Sequence, residues 1–247
     1  MEPWQERTAM IIGEDGLSRL AASSVAVVGL GGVGGAAAEM LVRAGIGRML
    51  ILDSDTVSLT NKNRQLIALD STIGRPKTEV VAARLKDINP KLELTIVSDY
   101  ITEDNIPQLI GPFRPVYLVD AIDTLAPKLA LIRWCVGQGI PLVSSMGAGA
   151  KRDLTKVRIT DISKTFNCPL AHFVRKKLRK FGIHKGFKAV FSEELPDESS
   201  IVLMDKEEQA STRNKKSQAG TLSYLPAVFG CACAQAAIEH LINRRQP

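Results

Sequence analysis

Four apolar stretches run along the chain without alternation: residues 24–30 (SVAVVGL), 48–53 (RMLILD), 116–120 (VYLVD) and 141–145 (PLVSS). Runs of this length, rich in β-branched residues, predict strands of a parallel sheet covered on both faces. Between them, residues 31–44, 77–88 and 127–137 carry helical spacing, the second stopped by Pro90. Residues 15–22 read as a short amphipathic helix before the first strand, and residues 92–99 alternate as a further strand. Strand, glycine turn, helix and strand repeat as βαβ units, which predicts an α/β fold built on a Rossmann-like, doubly wound, mainly parallel sheet.

Past Gly147 the pattern changes. Residues 157–162 and 190–192 read as short strands, and residues 171–181 as a basic amphipathic helix with Phe173, Leu178 and Phe181 as its inward stripe. Residues 205–220 (DKEEQASTRNKKSQAG) are polar and read as a loop or a disordered segment. An apolar helix follows over 221–243. Its length approaches that of a membrane span, but its polar and small residues favour a buried or dimer-facing helix, with membrane contact the lesser alternative. The chain is read as a single domain, 1–247, with a nucleotide-binding core at 23–150 and a substrate-side elaboration at 151–220.

Composition narrows this picture modestly. The 247 residues are 45% hydrophobic and 23% charged, as in folded globular proteins, and only 5% aromatic, so the core must be aliphatic. Lys and Arg total 32 against 26 acids, a net charge of +6 that favours a polyanionic partner such as RNA, although solvated surfaces are often basic too. The four cysteines, Cys135, Cys168, Cys231 and Cys233, form no CxxC pair, which argues against a structural zinc. Cys168 is expected in a loop, and Cys231 and Cys233 in the core. Residues 1–7 carry acids and no apolar run, so no signal peptide is expected and a cytoplasmic location follows.

The first strand ends in Gly29-Leu30-Gly31-Gly32-Val33-Gly34. Gly29 allows a tight turn, Gly31 lets backbone approach phosphate, and Gly34 lets the helix pack on the strand. The helix start then offers free N–H groups to an anion. Asp53, at the end of the next strand, is placed to accept hydrogen bonds from ribose hydroxyls. NAD and ATP both fit this fingerprint. The polar tract 54–65, with Asn61 and Arg64, and Lys77 beyond it, supplies the fixed donors and cations that phosphoryl chemistry needs; the plainer alternative is a solvated loop. Asp120 and Asp123 follow the VYLV strand at the carboxyl edge, where such sheets bind ligands. Asp123 is either a ligand for Mg²⁺ or a cap for the following helix. Lys176, Lys177, Arg179 and Lys180 crowd the basic helix, with Arg213, Lys215 and Lys216 as a second run, and either contact RNA backbone or form a solvated face.

Taken together, Gly29-x-Gly31-Gly32-x-Gly34, Asp53-x-Asp55, Asn61-x-x-Arg64-Gln65, Gly74-x-Pro76-Lys77 and Asp120-x-x-Asp123 resemble the E1-like adenylating superfamily, which activates the C-termini of ubiquitin-like and sulfur-carrier proteins. A closer resemblance, over nearly the whole chain, is to its tRNA threonylcarbamoyladenosine dehydratase branch. The residues carrying it are Glu6-Arg7-Thr8-Ala9, Gly29 to Gly35, Thr60 to Gln65, Val119 to Asp123 with Pro127-Lys128, Gly147-Ala148-Gly149, and Thr160-Asp161-Ile162 leading to Pro169-Leu170-Ala171.

The resemblance implies an ATP-dependent enzyme that adenylates the threonyl carboxylate of N6-threonylcarbamoyladenosine in a tRNA anticodon loop. A cyclic product forms, with release of AMP and pyrophosphate. It implies nucleotide contacts from the glycine turn, Asp53, Asp55, Asn61, Arg64, Lys77, Asp120 and Asp123, with Mg²⁺ at Asp123. It also implies a homodimer in which Arg7 reaches the partner's site, and in some bacterial members a cysteine desulfurase with its sulfur acceptor as partner. No cysteine is needed for catalysis, because the nucleophile lies within the substrate. The rival readings are an adenylating enzyme for a sulfur-carrier protein, a nicotinamide-linked oxidoreductase and a catalytically silent binding module.

Overall fold

The computed structural model describes residues 2–204 and 217–243. Among these, seven strands form one sheet: β1 (Ser24–Val28), β2 (Arg48–Leu52), β3 (Glu93–Val97), β4 (Tyr117–Asp120), β5 (Leu142–Ser145), β6 (Val157–Asp161) and β7 (Lys188–Ser192). Their order is β3-β2-β1-β4-β5-β7-β6, parallel throughout except for the antiparallel edge strand β6. The chain winds outward from β1 to β3, then returns to the other side of β1 for β4. The carboxyl ends of β1 and β4 therefore flank the topological switch point, where a crevice opens.

Helices cover both faces. α1 (Glu6–Ala21), α2 (Gly32–Ala44), α3 (Lys77–Ile88) and the C-terminal α7 (Tyr224–Asn243) lie on one side; α4 (Ile106–Ile110), α5 (Leu125–Gly137) and α6 (Pro169–Leu178) lie on the other. Val25, Val27, Met49 and Ile51 face the first layer, while Ala26, Val28, Leu50 and Leu52 face the second. Both alternating sets are buried, which is why these strands read as unbroken apolar runs. α7 is long and apolar enough to cross a membrane by length and composition. Here its inner face (Leu225, Phe229, Cys233, Ala237, Leu241) instead packs into the core beside α2.

Several expectations need correction. The first helix begins at Glu6, not Asp15; it bends at Gly13, whose φ of 72° is non-helical, and its first half leaves Met10 and Ile11 exposed. That half has no buried stripe for periodicity to reveal. The five-residue α4 was not expected, and β7 begins at Lys188. Helix α6 is set by Pro169 and ends at Leu178. Its inward stripe is Ala171, Val174 and Leu178, while Phe173 and Phe181 are half exposed. Cys168 is buried as the residue capping α6, against Gly147, and Cys231 is exposed. Ser217–Ala219 forms a strand, β9, antiparallel to β8 (Ile201–Leu203). The rest of the polar 205–220 stretch, with Arg213, Lys215 and Lys216, lies outside the described residues.

Under the switch point sits a fully buried charge network. Lys128 Nζ donates to Asp120 Oδ2 (2.6 Å), Ser144 Oγ (3.0 Å) and the Ser145 carbonyl (2.9 Å), which uses all three of its donors. Ser144 Oγ donates to Asp120 Oδ2 at 2.6 Å, and the Ile122 amide donates to Asp120 Oδ1 at 3.1 Å. The network ties β4, β5 and α5 together just below the crevice. Lys128→Met strands the Asp120 charge, so it should destabilise the fold by roughly 3–5 kcal/mol in urea unfolding. The double variant Lys128→Met, Asp120→Leu should recover much of that loss; equal losses for single and double variants would refute the pairing.

Candidate functional site

The site grows from the turn between β1 and α2. Gly29 has φ +90°, and a Cβ there would stand 2.9 Å from the Ala121 carbonyl carbon and oxygen. Gly34 lies still closer to its neighbour: a Cβ would meet the Gly29 carbonyl oxygen at 1.6 Å. No side chain fits either place, so β1, α2 and the end of β4 converge as bare backbone. Gly31 is the N-cap of α2 and Gly32 its first residue. No side chain caps the amides of that first turn, and a helix start of this kind is a general site for an anion.

Asp53 clamps this turn. Its Oδ2 accepts from the Leu30 amide at 2.6 Å and its Oδ1 from the Asp55 amide at 2.8 Å. Burial pushes the Asp53 carboxyl above its ordinary value, opposed by the nearby Lys77 charge and by these two amides. A carboxylate has about four lone-pair directions, so acceptor capacity remains for a ribose hydroxyl.

The segment after Asp55 makes an excursion and closes on itself through the Thr56–Pro76 bridge, which delivers Lys77 back beside Asp55. Lys77 Nζ sits 2.9 Å from Asp55 Oδ2 and is almost wholly enclosed. It opens α3, where the helix dipole disfavours a cation. That placement makes little sense for stability and good sense for an anion-binding site. Within the excursion, Asn61 is buried and its Oδ1 accepts from the Ser58 amide at 3.1 Å, which holds the short 3₁₀ turn Leu59–Asn61. Arg64 Nη1 donates to the Thr60 carbonyl and Asn63 Oδ1. The Arg64 backbone packs on Gly32, whose added Cβ would lie 2.9 Å from the Arg64 carbonyl oxygen.

Asp123 is exposed in the loop after β4, two residues from the contact with Gly29. Thr124 occupies the N-cap position of α5, with Asp123 just before it, and the Thr124 side chain makes no capping hydrogen bond. Asp120 corrects the sequence expectation. Its side chain is 0% exposed and accepts from Lys128, Ser144 and the Ile122 amide, so it braces the end of β4 from inside and offers no surface to a nucleotide.

Arg7 also stands apart. Gln5, two residues earlier, packs at Gly45 beyond the far end of α2, and Glu2 pairs with Lys91 at that same edge. α2 has 13 residues and is therefore about 20 Å long, so Arg7 is remote from the glycine turn of its own chain. Lys176, Lys177, Arg179 and Lys180 are all exposed on or just beyond α6, across the sheet's other face. Among the described residues no group of three or more His, Cys, Asp or Glu side chains could cage a metal.

Gln65 is buried, its Nε2 lies 3.7 Å from where a Cβ on Gly31 would stand, and its Oε1 has no hydrogen-bond partner. A buried, unpaired amide oxygen beside a helix N-terminus is costly unless a ligand satisfies it. Gln65→Met should leave the nucleotide-free protein as stable or up to ~2 kcal/mol more stable. It should also shrink the rise in melting temperature that ATP produces. An undiminished ATP-induced shift in thermal unfolding would show that Gln65 does not serve the ligand.

Comparisons with known proteins place the fold and the family. The model of the ThiF family matches residues 5–247. A tRNA threonylcarbamoyladenosine dehydratase of Bacillus subtilis is 44% identical over 230 residues, covering 91% of this chain and 89% of the relative. The crystal structure of the E. coli tRNA N6-threonylcarbamoyladenosine dehydratase TcdA in complex with ATP superposes with a TM-score of 0.86 at 36% identity, covering 98% of this chain and 96% of that one. Its complex with AMP gives 0.85 over the same shares. By sequence and by fold, this chain belongs to the ThiF family, in its branch of tRNA threonylcarbamoyladenosine dehydratases.

Proposed function

We infer that this chain uses ATP to cyclise N6-threonylcarbamoyladenosine in tRNA by way of an acyl-adenylate. The observation that carries the reading is the bare glycine turn at the switch point, with Asp53 fixed on the Leu30 amide and the enclosed Lys77 paired to Asp55 beside it. It lies in a fold nearly coextensive with that of a dehydratase whose structures hold ATP and AMP. A dehydrogenase has no use for an enclosed lysine at that helix start.

The chemistry follows from the charges. The substrate carboxylate is a poor electrophile. Its oxygen forms a bond to the α-phosphorus of ATP while the bond to the pyrophosphate oxygen breaks. A nucleophile already within the substrate then bonds to the activated carbonyl carbon, and AMP departs with the electron pair of the broken C–O bond. Asp53 orients the ribose, and the amides of the glycine turn hold the phosphates. Arg64 and Lys77 offset negative charge as it builds on the α-phosphate. Asp55 holds the Lys77 ammonium in place until the phosphate arrives, and Asn61 holds the loop that presents Arg64. Asp123, an exposed carboxylate at the crevice, suits Mg²⁺, which takes one or two carboxylates together with phosphates and water. Bound there, the ion would neutralise phosphate charge.

A homodimer completes the site in this reading. Arg7 lies at the wrong edge of its own sheet, on a helix that also exposes Met10 and Ile11. Leu59, Leu66 and Leu69 are exposed beside the nucleotide site. In a two-fold dimer one such patch on each subunit meets the other patch on its partner, twice. Lys176, Lys177, Arg179 and Lys180 provide the cations for the tRNA backbone. The location in this reading is the cytoplasm, where modified tRNA and ATP meet.

Incubation with ATP, Mg²⁺ and tRNA bearing the threonylcarbamoyl group should remove one water from the nucleoside by mass spectrometry, with AMP formed in equal amount. Unchanged tRNA, together with pyrophosphate exchange driven by a carrier protein, would overturn the reading. Mixing inactive Arg7→Ala and Lys77→Ala subunits should restore roughly a quarter of wild-type activity, because half the dimers then carry one intact site of two. No recovery from mixing would place Arg7 outside the site.

A further inference from the structure

Helix α6 turns an apolar ring toward water in the middle of its basic face. Ala171, Val174 and Leu178 fill its inward stripe, which leaves Phe173 49% and Phe181 52% exposed. The two rings differ in company. The Arg133 guanidinium covers Phe181 at 3.6 Å from the ring centroid. Phe173 meets the His172 ring only edge-on, at 5.7 Å. A single exposed phenylalanine is ordinary on a protein surface. What surrounds this one is not: Lys176 and Lys177 follow at three and four residues, and Lys180 at seven, so all share its outward side. α6 contains no acid, and among the described residues none of Lys176, Lys177, Arg179 or Lys180 enters a salt bridge.

The stripe also has a direction. α6 starts at the carboxyl edge of the sheet, where Cys168 packs against Gly147 at the end of β5. At 1.5 Å per residue, Phe173 lies about 7 Å down the helix axis and Lys176 and Lys177 about 12–14 Å down, so the ring lies nearer the helix start at the carboxyl edge than the lysines do. An RNA whose reactive nucleotide enters the crevice would bring neighbouring loop bases to the ring and its stem phosphates to the lysines. Unpaired bases stack on exposed aromatic rings, and phosphates follow lysines. A membrane fits less well, because the apolar stripe of α6 is already buried and one ring is too little to anchor an interfacial helix.

We propose that Phe173 is a stacking platform for an unpaired loop nucleotide flanking the reactive one, with Lys176, Lys177 and Lys180 carrying the backbone that leads away from it. This rests on the tRNA reading above and adds a recognition element to it. Phe173 acts in binding and touches no reacting atom, so its loss should raise KM for RNA and leave kcat unchanged.

The test uses the full chain with ATP and two RNAs: an anticodon stem-loop carrying 2-aminopurine in the loop, and the same stem as a blunt duplex. Phe173→Leu should weaken stem-loop binding by roughly 5- to 100-fold, with the salt slope and duplex binding unchanged, and Phe173→Trp should restore binding and quench the 2-aminopurine. Lys176→Glu with Lys177→Glu should weaken both RNAs and flatten the salt slope. If Phe173→Leu binds like wild type while the charge reversals weaken binding, the stacking role is wrong and the basic face stands. If neither variant matters to RNA that the wild type binds, RNA docks elsewhere. Binding to anionic lipid vesicles that Phe173→Leu abolishes, with RNA affinity intact, would assign the ring to a membrane. A wild-type chain that binds no RNA would instead overturn the functional reading itself.

Discussion

The whole arrangement hangs on how closely three backbone segments approach at the head of β1. Gly29 lies against Ala121 and Gly34 against the Gly29 carbonyl, with no room for a side chain at either place. That closeness sets where α2 begins, and so where its free amides point. It also lets a single carboxylate, Asp53, reach the Leu30 amide and fix the turn. Widening this junction by one methyl group would shift α2, the loop after β4 and the lysine at the start of α3 together. The crevice is thus a product of backbone crowding before any functional side chain is added.

Around that junction the protein accepts local costs that make sense only with a ligand. Lys77 sits at the wrong end of a helix for its charge, and Gln65 keeps a buried oxygen without a partner. Asp53 is held as a buried carboxyl beside a second acid, Asp55. Each is disfavoured in isolation by helix-dipole or desolvation energies on the order of 1 kcal/mol or more. Together they set one cation, two acids and an unpaired amide oxygen around the glycine turn, an arrangement that a bound nucleotide would relieve.

The sequence made the sheet legible because its central strands are covered on both faces, and so appear as unbroken apolar runs. The glycine turn was legible for the opposite reason: steric crowding leaves no other residue type possible. Other features were hidden because their cause is tertiary. Asp120 looks like any acid at a strand end until Lys128 and Ser144 close over it. The first half of α1 buries no stripe, so periodicity had nothing to report. Phe173 and Phe181 were assigned inward by hydrophobicity alone. The core had no space for them, since Ala171, Val174 and Leu178 already fill the contact. Gln65 stood within a readable motif, yet only its burial exposes the missing partner.

The interior triad of Asp120, Lys128 and Ser144 carries an implication for how such a chain can change over generations. With the Ser145 carbonyl and the Ile122 amide, its members satisfy one another in a space without solvent. Any one replaced alone leaves a charge or hydroxyl unanswered, and the loss is a large share of the roughly 5–15 kcal/mol that keeps a domain folded. Descendants can therefore depart from the triad only through coordinated substitutions. The network would persist by inheritance even where an apolar filling of the same volume were the more stable solution.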